Sequence, residues 1–318
     1  MSVARVMAPV MVAEERQLEL MASALRSRLR GRVRASEPMA RHTTFHIGGP
    51  ADLLVEPVDV EDLVAAVCFA QEKGLPLKLL GNGSNLLVSD RGLRGLVVRL
   101  APHFSRVAWR EDGAVVGAGA KLQRLLKDAA QVGLSGLESL ISIPGTVGGA
   151  LVMNAGTDVG TIGDLVVGAT VVDEFGVVRR LNACDLAYRY RHSALQAGKL
   201  IVVEAELRLT PSDPESVTAK MERLRAKREG RQPLTAWSAG SAFKNPRGVA
   251  AGKILARAGA KGMRVGEAEV SRKHANFVVN RRRATASDVR ELIARAHALA
   301  VRWYGIDLEL EIELIGEV

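Results

Sequence analysis

The chain has 318 residues, a formal net charge of +9, and is 47% hydrophobic but only 4% aromatic. That composition excludes a disordered chain, and two cysteines, Cys68 and Cys184, exclude a disulfide scaffold and fit a reducing compartment. The basic residues are dispersed, apart from Arg281–Arg282–Arg283, and no aromatic platform for single-stranded nucleic acid exists, so the charge suits anionic small molecules such as dinucleotides and nucleotide sugars.

The six histidines show neither HExxH nor HxH spacing, so no metal site is expected. The apolar stretches fall short of the ~18–20 residues that cross a bilayer. Residues 1–18 read as a floppy extension rather than a signal peptide: the apolar start is short, Arg5 interrupts it, and Glu14, Glu15 and Arg16 follow.

A short strand is expected at 52–56. A helix follows, with Asp59 and Asp62 at capping-box spacing, Leu63, Ala66, Val67 and Ala70 on one face, and Gly74 as its stop. A strand at 76–80 completes a β-α-β unit that runs into Gly81-Asn82-Gly83-Ser84-Asn85. Strand-like runs occupy 96–100 and 113–118. A helix at 121–132 carries Leu122, Leu125, Leu126 and Ala129 on one face, and a glycine-dense stretch covers 133–156. Strands at 166–173 and 177–181 flank a hairpin turn, and a strand at 200–209 precedes a boundary at Pro211–Pro214. Then come a charged helix at 215–229, a helix near 250–258 and a strand at 276–280. The last helix has Thr285 and Asp288 at capping-box spacing, Val289 to Trp303 supplying its apolar face and Gly305 ending it. A final strand, 308–315, alternates Leu308, Leu310, Ile312 and Leu314 with Glu309, Glu311 and Glu313. The mixture is α+β in three parts.

Five segments could carry chemistry. The turn at 81–85 is either a plain connection or a set of N–H groups aimed at a phosphate. Gly145-Thr146-Val147-Gly148-Gly149, continued by Asn154-Ala155-Gly156, suits either close helix packing or a pyrophosphate or flavin edge. Ser241 stands sterically open between Gly240 and Ala242, beside Lys244 and Asn245, although a capped turn explains the same residues. Arg189 and Arg191, among Tyr188, Tyr190 and His192, could clamp a carboxylate or form a solvated turn. The glutamates of the final strand suit a solvated face. No Walker motif is present, and Gly117-Ala118-Gly119 lacks the third glycine of a Rossmann fingerprint.

In this order, with Thr43-Thr44-Phe45-His46-Ile47-Gly48-Gly49-Pro50-Ala51-Asp52, the YRHS of Tyr190–Ser193, AGSAFKNP, the stretch Val270 to Asn280 and the closing Glu311-Ile312-Glu313-Leu314-Ile315-Gly316, these segments resemble the UDP-N-acetylenolpyruvoylglucosamine reductases (MurB), in their shorter second type. The resemblance implies an FAD cradle of the vanillyl-alcohol-oxidase type and a C-terminal α/β substrate domain. The expected division is 19–88 with 309–318, 89–211, and 212–308. It implies non-covalent FAD at Gly81, Asn82, Gly83, Ser84, Asn85, Gly145, Thr146, Gly148, Gly149, Asn154 and Gly156, with NADPH as co-substrate. It implies Ser241 as proton donor assisted by Arg191 and Glu311, and substrate contacts at Tyr190, Lys244, Asn245, Lys261, His274 and Asn276. A cytoplasmic monomer acting on UDP-N-acetylglucosamine enolpyruvate is expected. The family commonly reads Asn-Ala-Gly-Ala-Tyr-Gly where this chain has Thr157 and Asp158 after Gly156.

Overall fold

The computed structural model describes residues 4–100 and 102–316. Residues 1–3 of the expected extension lie outside that range. From Ala4 onward the extension is instead helical, as the first two thirds of α1 (Ala4–Arg26). Glu14 to Arg26 has no glycine or proline and is rich in Glu, Leu, Met, Ala and Arg, the strong helix formers. Ala22 and Leu25 anchor its end in the core.

The first sheet has four strands in the order Arg32–Pro38, Pro50–Glu56, Leu93–Arg99, Leu77–Leu80. The first pair is antiparallel and the others are parallel. Helix α2 (Val60–Glu72) makes the crossover, and Asp59 caps it by accepting from the Asp62 N–H at 3.0 Å. The reciprocal half of the expected capping box is not made. The buried Asp62 carboxylate instead accepts from the N–H groups of Arg30, Gly31 and Val58, at 2.8–3.2 Å, and so holds the exit of α1. Those bonds outweigh burial and lower its pKa.

The Leu93–Arg99 strand sits inside this sheet, so a division between residues 88 and 89 would cut it. The polar edge strand Arg32–Pro38 escaped the sequence reading because its residues show no apolar alternation.

The second part is a five-stranded antiparallel sheet ordered Val178–Asn182, Val166–Asp173, Leu200–Arg208, Gly113–Gly117, Val107–Arg110. Helices α3 (Leu122–Gln131) and α4 (Val147–Met153) pack on it over a core that includes Leu122, Leu125, Leu126, Val147 and Leu151. Helix α5 (Pro214–Glu229) then leads to the third part, where α6 (Ala251–Arg257) and α7 (Ala286–Tyr304) cover a small antiparallel sheet built on Ala268–Val270.

Both halves of the capping box at Thr285 and Asp288 form, and Gly305 closes α7 at φ 63°. Trp303, placed on the apolar face by spacing, is exposed, as are its neighbours Val301 and Tyr304 in the last turn of α7. The closing strand is shorter than its alternation suggests. Only Glu313–Ile315 pairs, parallel to Leu86–Val88, and Leu314 is exposed. Upstream, Leu310 bridges Phe243, and Glu311 turns into the protein rather than into solvent.

Candidate active site

A cleft of about 2100 Å³ opens between the three parts. One wall is made by the two glycine-rich segments, which pack on each other. Ser84 Oγ donates to the Pro144 carbonyl (3.1 Å), and a Cβ on Gly81 would stand 2.7 Å from Thr146 Oγ1. Gly83 has φ +59°, and a Cβ there would lie 2.2 Å from the His42 carbonyl, so only glycine fits.

The N–H groups from Gly81 to Asn85 donate to no backbone acceptor in a turn or loop among the described residues. All five residues line the cleft, and N–H groups left without such an acceptor suit a phosphate. The start of α4 differs. Its Val147 and Gly148 N–H groups are spent on the Ala120 and Ala118 carbonyls, and Thr146 Oγ1 accepts from Gly149 N. The α4 terminus therefore offers little to an anion. Gly145 (φ +137°) and Gly149 still keep this wall low, while Gly148 and Gly156 are glycines because Ala118 and the Gly160 carbonyl crowd them. Close packing and ligand contact both apply to the 145–156 segment. The wall fits FAD through the N–H donors at 81–85 and the shallow face at 145 and 149.

The facing wall carries Ser241. Gly240 reaches φ +80° with open space where a Cβ would stand. The strand-like path after it is fixed by Ala242 N donating to Asn276 O (2.7 Å) and Glu311 N donating to Ala242 O (2.9 Å). Asn85 Nδ2 donates to the Glu311 carbonyl (2.9 Å), which brings Glu311 to the end of the 81–85 turn. Arg191 arrives from the second sheet on a tight turn closed by paired hydrogen bonds between Arg189 and His192 (3.0 Å each). Its φ of 52° is left-handed, a cost a non-glycine residue bears where the side chain is needed. Arg191 Nε donates to Glu311 Oε1, Nη2 donates to the Gly156 carbonyl (2.9 Å), and the guanidinium lies 5.2 Å from the Tyr190 ring centre. The pair is 18% and 16% exposed. Burial raises the Glu311 pKa from its ordinary value, against the attraction of Arg191 and Lys244. Burial, with Lys261 adding repulsion, lowers that of His274.

Most expected residues meet at this cleft: the 81–85 turn, Gly145, Thr146, Gly148, Gly149, Gly156, Tyr190, Arg191, Ser241, Lys244, Asn245, His274 and Glu311. Three do not line it. Asn154 is buried and spends its amide on Arg189 O (2.8 Å) and Gly163 N (3.1 Å). Asn276 is buried and holds Phe243 N (3.0 Å) and O (2.7 Å). Lys261 acts on His274 only through its charge. Asn245 has a second duty, since its Oδ1 accepts from Ala251 N (3.0 Å) at the start of α6.

Arg228 and Gln123 also line the cleft and went unread, one hidden in a charged helix and the other on the polar side of an amphipathic one. Asp90 was missed as well. Its carboxylate, from the first part, accepts from Ala286 N (2.7 Å), Ser287 N (3.0 Å) and Ser287 Oγ (2.9 Å) at the start of α7. A contact across 196 residues leaves no local signal. Among the described residues no group of three or more metal-binding side chains occurs, and no helix is long and apolar enough to cross a membrane.

Two family models match: an FAD binding domain over residues 51–182, and the C-terminal domain of UDP-N-acetylenolpyruvoylglucosamine reductase over 232–315. The UDP-N-acetylenolpyruvoylglucosamine reductase of Moorella thermoacetica is 49% identical over 94% of this chain and 99% of its own length. The enzyme numbered 2 of that name from Symbiobacterium thermophilum is 45% identical over 93% and 97%. The crystal structure of the Thermus caldophilus reductase (MurB) superposes with a TM-score of 0.79 at 38% identity, covering 91% of this chain and all of that one.

Proposed function

The chain belongs to the UDP-N-acetylenolpyruvoylglucosamine reductase family, and from that premise we propose that it reduces UDP-N-acetylglucosamine enolpyruvate to UDP-N-acetylmuramate, a peptidoglycan precursor, with NADPH as reductant. FAD is its cofactor. The observation that carries the reading is the meeting of Ser241, Arg191 and Glu311 at one cleft, opposite a wall suited to FAD. FAD bound there, once reduced by NADPH, would supply hydride to the enolpyruvyl methylene carbon.

The residues of the chain then have to manage charge and a proton. Negative charge grows on the neighbouring carbon and its carboxylate. Arg191, held by Glu311 and Gly156 and hence pre-oriented, is suited to stabilise it, an effect typically of about 3–4 kcal/mol per well-placed donor. The Ser241 hydroxyl delivers the proton to that carbon. A serine is a poor acid at rest, but it serves when the acceptor is a strongly basic carbanion at short range. Glu311 on its own would repel the developing charge. Burial raises its pKa, and its pairing with Arg191 offsets that repulsion.

Tyr190, Lys244, Asn245 and His274, on the same cleft, are assigned to the sugar nucleotide. The division of labour follows the parts of the fold: the first two hold FAD and the third, from α5 to α7, covers the substrate. All three reacting groups come from one chain, so a monomer suffices, and the cytoplasm supplies both NADPH and nucleotide sugar.

The test uses the purified yellow protein without oxygen. NADPH should bleach the flavin absorbance and the enolpyruvyl substrate should restore it. Bleaching by a small alcohol with recolouring by air would replace this reading with an oxidase.

A further inference from the structure

Thr44 belongs to the first part of the fold, yet it grips both walls of the cleft. Its N–H donates to the Gly83 carbonyl (3.2 Å), inside the turn suited to FAD. Its hydroxyl donates to the Ser238 carbonyl (2.7 Å), in the segment that leads to Ser241. That carbonyl accepts from no backbone N–H in a turn or loop among the described residues. The neighbours of Thr44 are held from both parts. Thr43 Oγ1 donates to Ile47 O (2.9 Å) and accepts from Ile47 N (3.2 Å), which closes a turn over 43–47. Phe45 and Ile47 are buried in one core with residues of the third part, and Asn280 Nδ2 donates to Phe45 O (2.8 Å). The His46 ring centre lies 4.3 Å from that of Trp237.

Ser241 is thereby bracketed by two ties that end on the same turn. Upstream, Ser238 is joined through Thr44 to Gly83. Downstream, Ala242 O accepts from Glu311 N (2.9 Å), and the Glu311 carbonyl accepts from Asn85 Nδ2 (2.9 Å). A carbon that must receive hydride from one wall and a proton from the other tolerates little error, because a misplacement of about 1 Å can cost about 10²-fold in rate. We propose that Thr44 is a positioning residue for the proton transfer, holding Ser241 at a set distance from the 81–85 turn through its hydrogen bond to Ser238. The proposal rests on Ser241 being the proton donor. The two contacts of Thr44 can be separated, since the grip on Gly83 is made by the backbone and only the tie to Ser238 needs a hydroxyl.

The test follows the anaerobic half-reactions of the holoenzyme. Thr44→Val keeps the branched shape and the backbone bond but loses the hydroxyl. Flavin content should be unchanged, flavin reduction by NADPH should stay within about 3-fold of wild type, and re-oxidation by the enolpyruvyl substrate should slow by about 10–30-fold. Thr44→Ser restores the hydroxyl and should bring re-oxidation back to within about 3-fold of wild type. In a Ser241→Ala background Thr44→Val should add less than about 3-fold, because Thr44 acts through Ser241. Amide exchange in the oxidised holoenzyme reads the tie without turnover. Residues 237–241 should exchange about 5–10-fold faster in the valine protein, and residues 81–85 should not change.

Re-oxidation of the valine protein within about 3-fold of wild type overturns the proposal, and so does equal slowing of both half-reactions. A serine protein as slow as the valine one, or the full further loss in the Ser241→Ala background, overturns it too. If the valine protein fails to hold flavin, Thr44→Ala takes its place under the same outcomes, and a slow Thr44→Ser protein overturns the proposal by itself. A Ser241→Ala protein that re-oxidises at the wild-type rate refutes the proton-donor reading itself, and the proposal with it.

Discussion

Replacing Arg191 by methionine removes two contacts at once, the ion pair to Glu311 and the hydrogen bond to Gly156 O. At an effective dielectric of ~20 and a separation of about 3 Å, the attraction alone is roughly 5 kcal/mol. The pair is 18% and 16% exposed, so water screens part of it, and its own desolvation offsets more. A net loss of about 2–3 kcal/mol follows, or roughly 4–10 °C in Tm for a chain of this size. The kinetic loss should be larger and one-sided. Arg191 acts on charge that develops only when the substrate accepts hydride, so that step should slow about 10²–10³-fold while flavin reduction by NADPH changes little. Stopped-flow absorbance under anaerobic conditions separates the two. Equal slowing of both halves, or a second half within about 3-fold of wild type, would refute the reasoning.

The same substitution has a signed pH consequence. The folded pKa of Glu311 lies above its ordinary 4.5, so between those values the folded protein holds a proton that the unfolded chain has released. Stability therefore falls as pH rises through that window. Arg191→Met removes an attraction that opposes the shift and should extend the fall upward, whereas Glu311→Gln should abolish it. Tm measured against pH for the three proteins decides the point. For His274 the sign reverses: its lowered pKa makes stability fall as pH drops below 6.5, and His274→Gln should remove that acid-side loss.

Other substitutions separate packing from binding. Asp90→Ala strips three acceptor contacts from the start of α7, although Thr285 still caps that helix, and should cost about 2 kcal/mol in urea unfolding. Gly83→Ala drives a Cβ to 2.2 Å from a carbonyl oxygen at positive φ and should destabilise the fold by about 3 kcal/mol or more. Gly149→Ala, whose nearest neighbour stands at 3.5 Å, should leave Tm of the flavin-free protein nearly unchanged but lower its flavin content. Asn276→Ala should act on stability, by about 2–3 kcal/mol in thermal unfolding, because it orphans both backbone groups of Phe243.

What could be read from sequence depended on the range of the forces involved. The capping box at Thr285 and Asp288 is local, and it forms as spelled. The one at Asp59 and Asp62 has the same spacing, but Asp62 is drawn to three N–H groups, two of them about 30 residues away, a competition that spacing cannot encode. The glutamates of the final stretch look like a solvated face, and two of them fit that description. Glu311 is the exception because Arg191, 120 residues earlier, claims it. The motif residues Asn154 and Asn276 are expected at ligands, yet both are consumed in holding the backbone that presents Arg191 and Ser241. Motifs mark where a site lies more reliably than which atoms face it.

The central claim is that Ser241, on its fixed path between Gly240 and the Ala242–Glu311 contact, donates the proton that completes reduction of the substrate. The most direct measurement is the anaerobic pair of half-reactions for Ser241→Ala. The account predicts flavin reduction by NADPH close to wild type and re-oxidation by the enolpyruvyl substrate slowed by about 10²-fold or more. Equal loss in both halves, or re-oxidation at the wild-type rate, would contradict it.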